Sequence, residues 1–222
     1  MQKFDTPAPV SAVLDIPAGR IRFIAADRAD TTVEVLPADA AKSRDVKAAE
    51  QTEVTYSGGV LRIEGPPAKN QLVGPSGFVE VTVQLPTGSR IEAKAASAEL
   101  RGVGRLGDVA FEGAYGSVKL DETKRARLTL DAGDVSVGRL GGPAQISTQK
   151  GDIHITEALN GTVTLRTEHG EISVGAARGV SATLDAGTTY GRIHNALKNT
   201  DGAADLNIHA TTAYGNITAR SL

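Results

Sequence analysis

From Ala98 to the C-terminus, one short pattern of polar and aliphatic positions returns behind a glycine. It reads Gly133-Asp134-Val135-Ser136-Val137, Gly151-Asp152-Ile153-His154-Ile155 and Gly170-Glu171-Ile172-Ser173-Val174. Looser copies stand at Gly116-Ser117-Val118-Lys119-Leu120, Gly191-Arg192-Ile193-His194 and Gly215-Asn216-Ile217-Thr218, and a degenerate first copy at Ala98-Glu99-Leu100-Arg101. Side chains of a strand alternate faces with period two, so each copy predicts a turn feeding a half-buried strand. Glycine suits the corner because it carries no Cβ to clash there.

A second aliphatic pair precedes each corner: Val109 and Phe111, Ala126 and Leu128, Ala144 and Ile146, Val163 and Leu165, then Ala182 and Leu184, and Leu206 and Ile208, the last two pairs set further back. The corners recur every 17 to 19 residues, roughly, and at about 21 and 24 near the end, the mark of a stacked repeat array. A unit so small buries its apolar face only against its neighbours, with parallel partners about 4.8 Å above and below. The predicted fold class is therefore all-β, a parallel β-solenoid (β-helix) of about 17–24-residue coils, with two or three faces per coil. Leu100, Val118, Val135, Ile153, Ile172, Ile193 and Ile217 would stack in one interior column.

The N-terminal part reads as a diverged version of the same plan. Leu14-Asp15-Ile16-Pro17-Ala18-Gly19-Arg20-Ile21 returns as Val83-Gln84-Leu85-Pro86-Thr87-Gly88-Ser89-Arg90-Ile91. Strands are expected between residues 12 and 36, broken by a turn at Pro17-Ala18-Gly19. Ala38 to Glu50 predicts a short exposed helix. Thr52–Tyr56 and Val60–Glu64 around Ser57-Gly58-Gly59 predict a hairpin. The Pro/Gly stretch from Gly65 to Gly77 predicts a mobile loop. Residues 1–77 are read as an N-terminal cap and residues 78–222 as the regular repeats of one continuous domain. The other end, finishing at Arg220-Ser221-Leu222, shows no capping helix, so either the longer last coils close it or a second copy does.

Charge adds an exclusion. A formal net charge of −2 over 222 residues lacks the basic stripe of a nucleic-acid binder. Without cysteine there is no disulfide or thiolate chemistry. Neither a signal-peptide pattern at Met1-Gln2-Lys3-Phe4-Asp5-Thr6-Pro7 nor a membrane-length apolar run is present, and a cytoplasmic protein is expected.

Candidate chemistry falls on the corners. Asp134, Asp152 and Glu171 follow three successive glycines. Carboxylates about 4.8 Å apart repel by roughly 1 kcal/mol per pair in water, so corner N–H groups, neighbouring bases or a cation must offset them. Acceptance of N–H bonds is the ordinary habit of Asp in turns, and the nonapeptide of calcium-binding rolls is absent. Tyr115, Tyr190 and Tyr214 each precede a glycine, where they would pack the corner or stack on a sugar ring. His154 and His194 share an outward slot, two coils apart by chain order, without the ligand set zinc requires. Gly102-Val103-Gly104-Arg105-Leu106-Gly107 has dinucleotide-loop spacing, yet a strand rather than a helix follows it. No cofactor, metal or catalytic grouping is predicted, so the chain reads as non-enzymatic.

The recurring Gly-Asp-Ile/Val phrase, with Val81-Thr82-Val83-Gln84-Leu85-Pro86-Thr87-Gly88 ahead of it, resembles the bacterial "putative adhesin" family of β-solenoid domains, in its actinobacterial form. The resemblance spans nearly the whole chain. It implies a right-handed parallel fold and no known catalytic residues; the repeat array itself, with no catalytic grouping and an uncapped last coil, leads to the expectation of an interaction or scaffold role. The expected partner is a protein or a second copy at an open solenoid end. A glycan, bound or cleaved near Asp134, Asp152, Glu171, Tyr190 and Tyr214, is the alternative.

Overall fold

The alternating pattern folds as strand in a computed structural model that describes residues 1–66, 77–199 and 203–222. The fold is all-β, with parallel and antiparallel pairings in one mixed sheet. The chain forms two compact units, Met1–Gly116 and Ser117–Leu222.

Unit 1 contains β1 (Gln2–Asp5), β2 (Ser11–Ala26), β3 (Asp30–Pro37), α1 (Ser43–Glu50), β4 (Glu53–Ser57), β5 (Val60–Glu64), β6 (Val79–Pro86) and β7 (Arg90–Tyr115). β2 is its axis. It runs parallel to β7 along most of its length, while its first part also pairs with β5 and its second with β6. The interior column here is Val81, Ile21 and Leu100, in register across the three strands and almost fully buried. Pro17-Ala18-Gly19, expected as a turn between strands, is instead a corner within continuous β2. A Cβ on Gly19 would overlap the Val79 carbonyl oxygen, so glycine is needed there for close approach. The phrases around Leu14 and Val83 do not stack on each other. Val83 pairs with Phe23 and Leu14 with Ile63 and Ala93.

Antiparallel strands complete unit 1. β3 lies on β6 and β1 on β3, and the predicted hairpin is β4–β5, turned by Gly58 and Gly59 at φ 57° and 81°. The short helix forms, with Asp45 and Ala48 buried; the Asp45 carboxylate accepts the Phe78 N–H at 3.0 Å. At the β1–β3 edge, hydrogen bonds from Arg28 and then Lys3 hold the Asp30 carboxyl down at about 2, against an ordinary 3.8. The dinucleotide-like glycines lie inside β7, and most of the predicted Pro/Gly loop lies outside the described residues.

Unit 2 contains β8 (Val118–Ala132), β9 (Val135–Leu140), β10 (Ala144–Lys150), β11 (Ile153–Ala158), β12 (Gly161–Arg166), β13 (Ile172–Ala176), β14 (Ala182–Tyr190), β15 (Ile193–Ala196), β16 (Leu206–Tyr214) and β17 (Ile217–Ser221). Every pairing between these strands is parallel. One face runs β8, β9, β11, β13, β17, β15. The other runs β8, β10, β12, β16, β14. Val118, Val135, Ile153 and Ile172 are successive partners, as the glycine phase predicts.

The last two rungs, however, are exchanged. Ile217, not Ile193, pairs with Ile172, and Ile193 pairs with Ile217. The chain lays down β14 and β15, then returns to fill the space between them and β12–β13 with β16 and β17. Burial explains the order. An interior rung is covered on both sides, and β16–β17 supplies Leu206, Ile208, Ala210, Thr212, Ile217 and Ala219, all buried. At the partnered inward positions the outer rung carries Ala182, Leu184, Ala186, Thr188, Ile193 and Asn195, with polar Asn195 opposite Ala219 and the smaller Ala182 opposite Leu206.

Candidate functional site at the glycine corner

The corner of unit 2 collects the residues singled out from the sequence. Its backbone is bonded from rung to rung. Gly133, Gly151, Gly170 and Gly215 each donate N–H to the carbonyl preceding the next corner glycine, those of Lys150, His169, Tyr214 and Tyr190, at 2.8–3.0 Å. The glycines at 133, 151 and 215 have φ of 146°, 141° and 151°. A Cβ at Gly151, Gly170, Gly215 or Gly191 would overlap the carbonyl oxygen of the corner glycine on the rung below. Glycine recurs here because the rungs approach too closely for any side chain.

The acidic column is resolved by hydrogen bonding. One Asp134 carboxylate oxygen accepts the Asp152 N–H at 2.9 Å, and one from Asp152 accepts the Glu171 N–H at 2.7 Å. Glu171 then accepts from the Asn216 side-chain amide at 3.0 Å, and Asn216 accepts the Arg192 N–H at 3.0 Å. Each polar side chain thus binds the neighbouring rung, and charge-assisted bonds of this kind offset the repulsion between adjacent carboxylates. Among the described residues, no group of three or more His, Asp or Glu side chains is arranged to hold a metal ion.

The aromatic column also depends on the exchanged rungs. His169 and Tyr214 stack at 4.9 Å and 9°, and Tyr214 and Tyr190 at 4.8 Å and 10°. Tyr214 is held between two rings, whereas Tyr190 meets a ring on one side and is 63% exposed. Tyr115 lies in unit 1, also exposed. The exchange separates the histidines further than chain order suggests: His154, Ser173, Thr218 and His194 occupy successive rungs, placing the histidines about 14 Å apart at strand spacing. His154 instead lies 3.2 Å from the Thr156 hydroxyl, and His209 lies 3.2 Å from Asp185.

One column was not foreseen. Thr148, Thr167, Thr212 and Thr188 precede their corner glycines at the same phase. Their hydroxyls donate to the carbonyls of Gly133, Gly151, Gly170 and Gly215, one rung below, at 3.5, 3.0, 3.1 and 3.0 Å. The repeated threonine was the available signal. Thr167→Val keeps the branched shape but removes this donor from a buried position. It is expected to cost about 1–2 kcal/mol, measured by urea unfolding of the full chain.

Comparisons place this architecture among known proteins. The chain is similar to a solved "putative adhesin" from Bacteroides fragilis, at 13% identity and TM-score 0.60, covering 98% of this chain and 95% of that one. A "putative adhesin" and a "Putative lipid binding protein" from Parabacteroides distasonis each match at 13% identity with the same coverage, at TM-scores of 0.48 and 0.49. A search of curated proteins finds no match. Among the described residues, no helix is long and apolar enough to cross a membrane. The Toastrack DUF4097 family description matches residues 13–221, nearly the whole sequence. With its repeated corners and its fold agreeing, the chain belongs to the Toastrack DUF4097 family.

Proposed function

We propose that the protein is a non-enzymatic, adhesin-like interaction module built as a right-handed parallel β-solenoid of about 17–24-residue coils. One observation carries this reading. The apolar column that is 1% exposed at Val118, Val135, Ile153, Ile172 and Ile217 ends on Ile193, which is 46% exposed. Its rung pairs on one side only among the described strands. An open rung of this kind recruits backbone and apolar partners. Corner side chains, by contrast, are engaged in holding the rungs together.

The test is site-specific photo-crosslinking in host cells. A benzophenone amino acid at Tyr190 is expected to give adducts of discrete mass, and one at Thr164, outward on β12, is not. No adduct at either position would count against an interaction role. A glycan is the second reading, favoured by the open ring face of Tyr190, because aromatic faces stack on sugars. A glycan array with the protein and its Asp134→Asn and Asp152→Asn variants decides it; silence from the unaltered protein removes it.

A further inference from the structure

The open rung identifies its own partner by shape. β14 and β15 are unpaired on the same side among the described strands, joined through the Tyr190-Gly191-Arg192 corner. Among the described residues, the start of β14 is covered by the segment after β15: the Ala182 N–H donates to the Lys198 carbonyl at 3.2 Å and the Ser181 hydroxyl to the Asn199 side-chain oxygen at 2.9 Å. A lone extended peptide could pair with one of these strands but would leave the other open. Covering both, together with Ile193, takes a partner that offers two free strand edges at the same spacing.

We propose that the occupant is the same rung of a second copy, docked about a two-fold axis so that β14 runs antiparallel to β14 and β15 to β15. This commits the interaction reading above to a particular partner. In an isologous contact each residue meets its own set of neighbours, so no second surface has to match. Charge permits it: between Ala182 and Ala196 the rung carries one acid, Asp185, and one base, Arg192. Two such rungs meet without net repulsion. Pairing also removes the exposed strand edge that otherwise invites indiscriminate association.

The area sets the strength. β14 has 9 residues and β15 has 4, giving an edge about 30 Å long on its larger side and about 10 Å deep. Covering it on both copies buries roughly 600–1,000 Å², below the ~1,200 Å² at which stable interfaces begin. The contact is therefore reversible and depends on concentration.

Sedimentation velocity of the full chain over a wide concentration range reads this directly. The sedimentation coefficient is expected to rise towards that of a dimer. Ile193→Glu, at an exposed position with no described rung beyond it, is expected to weaken the dimer about tenfold or more with an unchanged circular dichroism spectrum. Leu36→Glu, at an exposed position of unit 1, is expected to leave it intact. Because the protein has no cysteine, a second readout is available. Gly187→Cys, where an added Cβ meets nothing within 4 Å, is expected to give a disulfide-linked dimer under mild oxidation, and Thr164→Cys is not. A chain that remains monomeric at every concentration, or a dimer indifferent to Ile193→Glu, overturns the proposal. If the Tyr190 crosslink then captures a different protein, the interaction reading survives; if it captures nothing, both fail.

Discussion

Gly151→Ala is expected to destabilise the protein by about 3–5 kcal/mol, an effect usually reserved for large core truncations. Two costs combine. The φ of 141° at Gly151 is a region that L side chains rarely adopt. The new methyl would also overlap the Gly133 carbonyl oxygen, and its nearest neighbours are all backbone atoms of the rung below. Neither a rotamer change nor a small side-chain shift relieves that clash. The rungs would have to part, stretching the bonds from Gly133 N–H to Lys150 and from the Thr148 hydroxyl to Gly133. Gly187→Ala is the matched control. An added Cβ there meets nothing within 4 Å, so the change is expected to be neutral or to stabilise by up to about 1 kcal/mol through the unfolded state. Urea unfolding of both variants, followed by circular dichroism, separates the cases. Equal midpoints would show that glycine at the corner is not a steric requirement.

The same close approach explains why much of unit 2 was legible beforehand. Glycine marks the phase of each rung and period two marks its inward positions, so Val135, Ile153 and Ile172 could be aligned without coordinates. Phase alone says which residues are equivalent, not the order in which equivalent rungs are stacked. The exchange of the last two rungs was therefore hidden, although Asn195 against Ala219 at an inward position pointed to which would lie outermost. The corner was partly legible in the same way. Carboxylates at Asp134 and Asp152 were expected to accept N–H bonds, and they do. The ring stack could not be assembled from chain order, because Tyr214 reaches His169 only through the exchange. The threonine column escaped notice because a β-branched residue in a strand already has a sufficient explanation; its bond to the glycine carbonyl depends on three-dimensional register. In unit 1, Gly58-Gly59 made the β4–β5 hairpin readable, while the pairing of Val83 with Phe23 overrode the repeated phrase.

The exchanged order predicts that one substitution will have two unequal effects within one column. Ile172→Ala is expected to cost about 2–5 kcal/mol, because the side chain is 1% exposed and partnered by Ile153 on one rung and Ile217 on the other. Truncation leaves a cavity that the closely bonded glycine corner prevents from collapsing. Ile193→Ala, at 46% exposure on the outer rung, creates no enclosed space and is expected to cost less than about 1 kcal/mol. Both are measured by urea unfolding at low protein concentration, where self-association does not contribute. A stack built in chain order would place Ile193 inside and Ile217 at the end, reversing the ranking of Ile193→Ala and Ile217→Ala. Ile217 pairs with both Ile172 and Ile193, so Ile217→Ala must fall with Ile172→Ala if the final coil fills the gap left by the one before it.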